Sequence, residues 1–318
     1  MIGSLVACGG TYGGQPTSPA AAKSGIRLDA AALPYAIVDA RTGRAIDIAA
    51  FWTRLAGERV VCVGEEHSNP HDHWVELEAA RKLFAHWPHG ALGLEMIQRP
   101  FQGVLDDFAA HRIDEPALRS RVGWDERWGY DFGFYAPTLA VAIAAAGTVV
   151  ALDAPTELTK QVAHHGIASL SPDEQAKLPE LDLHDAAHHA WFDALMEDMG
   201  GADAHAHVHA DMGSGSGDDD SADMQMPSAD DIYAVQVIWD ETMADTAATW
   251  LKAHPDGHML ILAGNGHCHD SAIVSRIKRR GIADVVSVRT VTDDTVSDAL
   301  AKPINDFLVV LSVPKKRE

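Results

Sequence analysis

Arg59-Val60-Val61-Cys62-Val63-Gly64-Glu65-Glu66-His67 is an apolar, β-branched run that passes through a glycine into a cluster of titratable side chains. A strand with one wet face alternates apolar and polar residues. An unbroken apolar run instead suits a strand covered on both faces, as in a parallel sheet between helices. Five further runs of this kind occur at 91–94, 148–152, 258–263, 284–289 and 307–311. Between them the apolar residues take helical spacing, as in Trp74, Leu77, Ala80 and Phe84, or Trp239, Met243, Thr246 and Trp250. The alternation predicts an α/β fold, a parallel-rich sheet covered by helices with an inserted helical subdomain.

With 318 residues and 47 % hydrophobic content, the chain is long enough for a sizeable core. Its formal charge of -21 disfavours nucleic acid or an anionic lipid surface as partner, and leaves cationic or metal-bearing ligands easier to accommodate. Much of that charge lies in 178–251, which has seventeen Asp and Glu and no Lys or Arg. Helical spacing in 181–199 and 232–250 predicts two helices. The intervening 200–231 carries His205, His207, His209, Met212, a Gly/Ser run and Asp218-Asp219-Asp220, a composition that cannot supply a packed core. The expected organisation is a tail over 1–24 and an α/β domain over 25–318, with a helical insertion at about 156–250 holding that loop.

No apolar run reaches the roughly 18–20 residues that a membrane-spanning helix needs. Leu5-Val6-Ala7-Cys8, followed by Gly9 and Gly10, has the order of a lipoprotein cleavage site. It predicts acylation of Cys8 and a flexible tether to about Ser24, with translation starting upstream; the plainer reading is an ordinary tail. Cys62 in an apolar run and Cys268 in a Gly/His loop read as separate thiols.

Four strands end in polar clusters: Gly64-Glu65-Glu66-His67, Glu95, Asp153 and Gly264-Asn265-Gly266-His267. In an open parallel sheet, ligands bind outside the carboxyl ends of the strands, so these residues are expected to converge. Glu65, His67, Glu95 and His267 suit acid/base work, and Glu65, His67 and His267 suit metal ligation. Each feature alone has a plainer reading as a turn or a helix cap. His205, His207, His209 and Met212 form a separate candidate for copper or another divalent metal, or else solvated low-complexity sequence.

The wording of several segments goes beyond pattern. Val63-Gly64-Glu65-Glu66-His67-Ser68-Asn69-Pro70, Leu92-Gly93-Leu94-Glu95-Met96-Ile97-Gln98-Arg99-Pro100, Ala151-Leu152-Asp153-Ala154-Pro155, Trp239-Asp240-Glu241-Thr242-Met243-Ala244 and Ala263-Gly264-Asn265-Gly266-His267 together resemble the ChaN-like proteins of the superfamily named for haem-binding uptake and Tiki proteins. The resemblance runs from Asp39 to about Arg289. It implies haem as ligand, bound at a face shared by two subunits of a homodimer. It also implies an iron-regulated lipoprotein of the bacterial cell envelope, facing the periplasm from the outer membrane, in accord with Cys8. Distant relatives include metal-dependent proteases and erythromycin-esterase-like hydrolases; by that route Glu65, His67, Glu95 and His267 inherit a catalytic or metal-binding role. Haem iron takes an axial His, Tyr, Met or Cys in an apolar wall. Tyr233 is the expected iron ligand, with His184, His188 and His189 on the facing helix beside Trp191 and Phe192; the plainer readings are a half-buried aromatic at a helix start, and histidines that hold another metal or lie on the surface. His184 and His188, four apart, are expected on one helical face.

Overall fold

The computed structural model describes residues 34–198 and 227–313. Cys8, His205, His207, His209 and Met212 lie outside the described residues. The six expected strands are present as β3 (Val60–Glu65), β4 (Gly90–Gln98), β5 (Thr148–Asp153), β6 (His258–Gly264), β7 (Val285–Thr292) and β8 (Phe307–Leu311). They are preceded by a hairpin of β1 (Tyr35–Asp39) and β2 (Arg44–Ile46), whose turn places Gly43 at φ 67°. The sheet order is β2-β1-β8-β7-β3-β6-β4-β5. Strands β3 to β8 pair in parallel, and the hairpin adds antiparallel to β8.

Both faces are covered, which is why the central strands read as unbroken apolar runs. Val61 and Val63 of β3 face one layer, built from α1 (Ile48–Ala56), α2 (Pro70–Phe84) and α3 (Ala136–Ala144), with Phe51, Leu55, Trp74, Leu77 and Leu139 in its core. Val60 and Cys62 face the other, built from α4 (Thr156–His165) and α6 (Ala229–Ala253), with Leu158, Val162, Val235, Ile238 and Met243. The chain leaves β3 toward the first layer and leaves neighbouring β6 toward the second, where Ile273 and Ile277 pack. Adjacent strands whose connections diverge to opposite faces open a crevice at their carboxyl ends.

Two expectations need correction. Cys62 and Cys268 form a disulfide, with Cα atoms 5.4 Å apart. Their separation of 206 residues hides a proximity that arises because β3 pairs with β6 and the following loop folds back over the same face. The second concerns α5 (Ala186–Asp198), which starts five residues later than the spacing suggests. Asp185 caps it by accepting the amides of Ala187 at 3.0 Å and His188 at 3.1 Å. Asp182 meanwhile accepts the His184 amide at 3.0 Å and turns the chain before the helix begins. His184 is therefore exposed in a turn, whereas His188 points into the core, and the two share no helical face.

Candidate functional site at the strand ends

Glu65 closes β3 and is buried. Its Oε1 accepts from the Tyr135 hydroxyl at 2.8 Å and from His67 Nδ1 at 2.7 Å, and its Oε2 lies 3.0 Å from His73 Nδ1. Burial alone would raise this carboxyl, but the contacts with His67 and His73 prevail and hold it well below the usual carboxylate range. His67 is held edge-on by Trp128 at 4.6 Å, with Tyr130 at 4.9 Å, and its side chain keeps 13 % exposure. It is the opening of this half of the site to solvent.

The loop after β6 approaches from the other side. A Cβ on Gly264 would stand 2.9 Å from His67 Cε1 and 3.7 Å from Glu95 Oε2, so the close meeting of these groups depends on glycine there. The Gly264 amide donates to Glu95 Oε2 at 2.5 Å, and Glu95 Oε1 lies 3.2 Å from His267 Nε2. His267 Nδ1 in turn lies 2.7 Å from Asp240 Oδ1 on α6. With a carboxylate on each ring nitrogen, both nitrogens donate and His267 is an imidazolium. Burial by itself would lower its pKa, but Glu95 and Asp240 push it well above the ordinary value.

Asp240 extends the chain of contacts. Its Oδ2 is 3.0 Å from His188 Nε2, and Arg276 stands 4.0 Å away. Burial raises this carboxyl, yet the bonds to His188 and His267 hold it far below the normal range. Arg276 Nη2 lies 3.3 Å from His188 Nδ1. A guanidinium can only donate, so Nδ1 carries the lone pair, and the Tyr233 hydroxyl at 3.2 Å donates to it as well. Burial pushes the Tyr233 phenol up to about 12.

The structure thus brings Glu65, His67, Glu95 and His267 together at the crevice and joins His188 and Tyr233 to them through Asp240. His189 lies beside the Tyr233 ring at 4.4 Å, with its side chain 45 % exposed and bonded to Asp193 at 3.0 Å. His184 stands apart in its turn. Asp153, at the end of β5, is raised well above its ordinary value by burial and by the Glu95 charge. Sequence reasoning missed Asp240 as a site residue, although an acidic pair inside the apolar stretch from Val235 to Met243 is itself a signal. It also missed His73 and Glu76, whose i, i+3 spacing puts both on one face of α2.

A family model described as haem-binding uptake, Tiki superfamily, ChaN matches residues 51–277. Among solved structures, one titled for cofacial heme binding to ChaN of Campylobacter jejuni is similar, with a TM-score of 0.62 and 14 % identity, covering 88 % of this chain and 97 % of that one. An erythromycin esterase mutant in its open conformation is similar at a TM-score of 0.43 and 13 % identity, covering 89 % of this chain and 84 % of that one. No curated protein matches in sequence. The family match spans β3 to β6, the crevice they open and helices of both layers, and the chain belongs to the ChaN family of haem-binding uptake proteins in the Tiki superfamily.

Proposed function

We propose that this protein binds haem for uptake, with Tyr233 as iron ligand at the edge between α5 and α6. The observation that carries the reading, beside the family, is the 3.2 Å contact from the Tyr233 hydroxyl to an acceptor nitrogen of His188. A phenol with an ordinary or raised pKa binds ferric iron only by giving up its proton. His188 Nδ1 is positioned to take it once the Arg276 contact to that nitrogen is released, and Asp240 on the opposite ring nitrogen offsets the charge of the resulting imidazolium. His189, half-exposed over the phenol ring, is the side chain that turns away to admit the ligand, and Phe192 at 5.2 Å supplies apolar wall.

The rest of the reading follows the family: a haem face shared by two subunits and a periplasm-facing lipoprotein anchored through Cys8. The Cys62–Cys268 disulfide supports an extracytoplasmic location, because structural disulfides persist in oxidising compartments. Titration of the full chain with haemin is expected to give saturable binding, a discrete Soret shift and a change in oligomeric state. Tyr233→Phe is expected to weaken binding at least tenfold, about 1.4 kcal/mol. A flat titration of the wild type would overturn the reading.

A second reading, a metal-dependent hydrolase, is favoured by one feature. His67 is partly open to solvent, paired with Glu65 at 2.7 Å, and faces Gly264 and Glu95 across the crevice. That arrangement offers a general base beside a buried carboxylate. Turnover of an ester or peptide panel should then fall at least a hundredfold in both His67→Ala and His267→Ala. An inert wild type removes this reading.

A further inference from the structure

We propose that Glu65, His73 and Glu76 form a buried site for one divalent transition-metal cation, held between the end of β3 and the inner face of α2. All three side chains are essentially inaccessible, and each offers one ligand atom within 4.8 Å of the other two. His73 Nδ1 lies 3.0 Å from Glu65 Oε2 and 2.9 Å from Glu76 Oε2. His73 and Glu76 are one helical turn apart, so α2 presents both to the strand end.

The tautomer of His73 decides what belongs among these atoms. Its Nε2 lies 3.0 Å from the backbone carbonyl of His67. A carbonyl can only accept, so Nε2 carries a proton, and such a contact is the usual way a metal-binding imidazole is oriented. In the neutral ring, Nδ1 then turns a lone pair toward two carboxylate oxygens, which are acceptors too. Three acceptors facing one another require a proton or a metal cation among them.

Two buried oxygens, Glu65 Oε2 and Glu76 Oε1, have no hydrogen-bond partner. Oxygens left so cost about 1–3 kcal/mol each, more when charged. A divalent cation neutralises the two carboxylates and takes up the nitrogen lone pair. One imidazole and two carboxylates, at bonds of about 2.0–2.2 Å, suit Zn2+ or another first-row ion. Tetrahedral bonds of that length separate donors by roughly 3.3–3.6 Å, so the two imidazole–carboxylate separations need to widen by only a few tenths of an ångström.

The surroundings hold the donors in place. Phe134 stacks on His73 at 4.4 Å, and Glu65 Oε1 is already engaged by Tyr135 and His67, leaving Oε2 for the cluster. Protons are the competing occupants. Burial and the Glu65 charge push Glu76 well above its ordinary value, so a neutral Glu76 beside an imidazolium is the form without metal.

Full-length protein loaded with Zn2+ and desalted is expected to retain one equivalent more than Glu76→Gln. Because the readout is a difference, ions taken up by His205, His207 and His209 cancel. His67→Ala keeps the backbone carbonyl that orients His73, and should keep that equivalent. Equal metal content in wild type and Glu76→Gln overturns the site. So does loss of the equivalent in His67→Ala with retention in Glu76→Gln, which moves the ion to the crevice set. If Glu76→Gln does not fold, the wild type decides. Stripping it with a chelator must lower its melting temperature, and an unchanged value overturns the proposal. The result is independent of the haem titration, which reports on Tyr233.

Discussion

Replacing Asp240 by alanine is expected to lower the free energy of unfolding by about 3–5 kcal/mol, the range for removing one partner of a buried ion pair. Asp240 is fully buried and faces His267 at 2.7 Å, His188 at 3.0 Å and Arg276 at 4.0 Å. Its loss leaves His267 with Glu95 as its one remaining carboxylate and His188 with none, while Arg276 keeps Glu241 at 3.2 Å. Urea unfolding checks the size of the effect, and a loss below about 1 kcal/mol would show the network to be closed by water instead. The same change disconnects Tyr233 and His188 from the strand ends, so haem binding should weaken with it.

The pH dependence of that network has a definite sign. Asp240 is more acidic in the folded chain, so its contribution is present above about pH 3.9 and fades as pH falls below that value. His267 holds its proton more tightly in the folded chain. Its contribution is complete below about pH 6.5 and is lost as pH rises toward the folded value. The stability difference between wild type and Asp240→Asn should therefore be largest between about pH 4 and 6.5, and shrink on both sides.

Much of the sheet was legible because its strands are buried on both faces, and burial writes itself as unbroken apolar runs. The hairpin was not. Tyr35–Asp39 and Arg44–Ile46 are short edge strands of mixed exposure, and the only cue was the Thr42-Gly43 turn. Glu65, His67, Glu95 and His267 were legible as strand-end residues because topology alone sends those ends to one crevice. Their partners were not, for a common reason. Asp240, His73 and Glu76 lie inside helices, where an ionisable residue looks like part of a solvated face until a layer is known to pack over it. In α6 that layer is α5 together with the segment after β6, whose His188, His267 and Arg276 meet Asp240 and Glu241, so both are buried although their segment is rich in charge. The start of α5 was misplaced because periodicity continues back through Leu181, while Asp182 and Asp185 divert the backbone before a helix can form.

Removing the disulfide, by Cys62→Ala with Cys268→Ala, is expected to destabilise the protein by about 2–5 kcal/mol. The bond closes a loop spanning 206 residues, and loops of that size lie near the upper end of the chain-entropy effect. For a chain of this size the corresponding fall in melting temperature is roughly 3–8 °C. Both cysteines are inaccessible, so substitution is a cleaner test than reductant acting on the folded protein. The effect should reach the crevice, because Cys268 follows His267 directly and the tie to β3 fixes the loop that carries Gly264 and His267. Among the anchors of that loop are the covalent bond at Cys268 and the Glu95 and Asp240 contacts at His267. If they act on the same element, combining the cysteine changes with Asp240→Asn should give a loss that departs from the sum of the separate losses by more than about 0.5 kcal/mol. Strict additivity would mean that the disulfide serves the stability of the fold without serving the site.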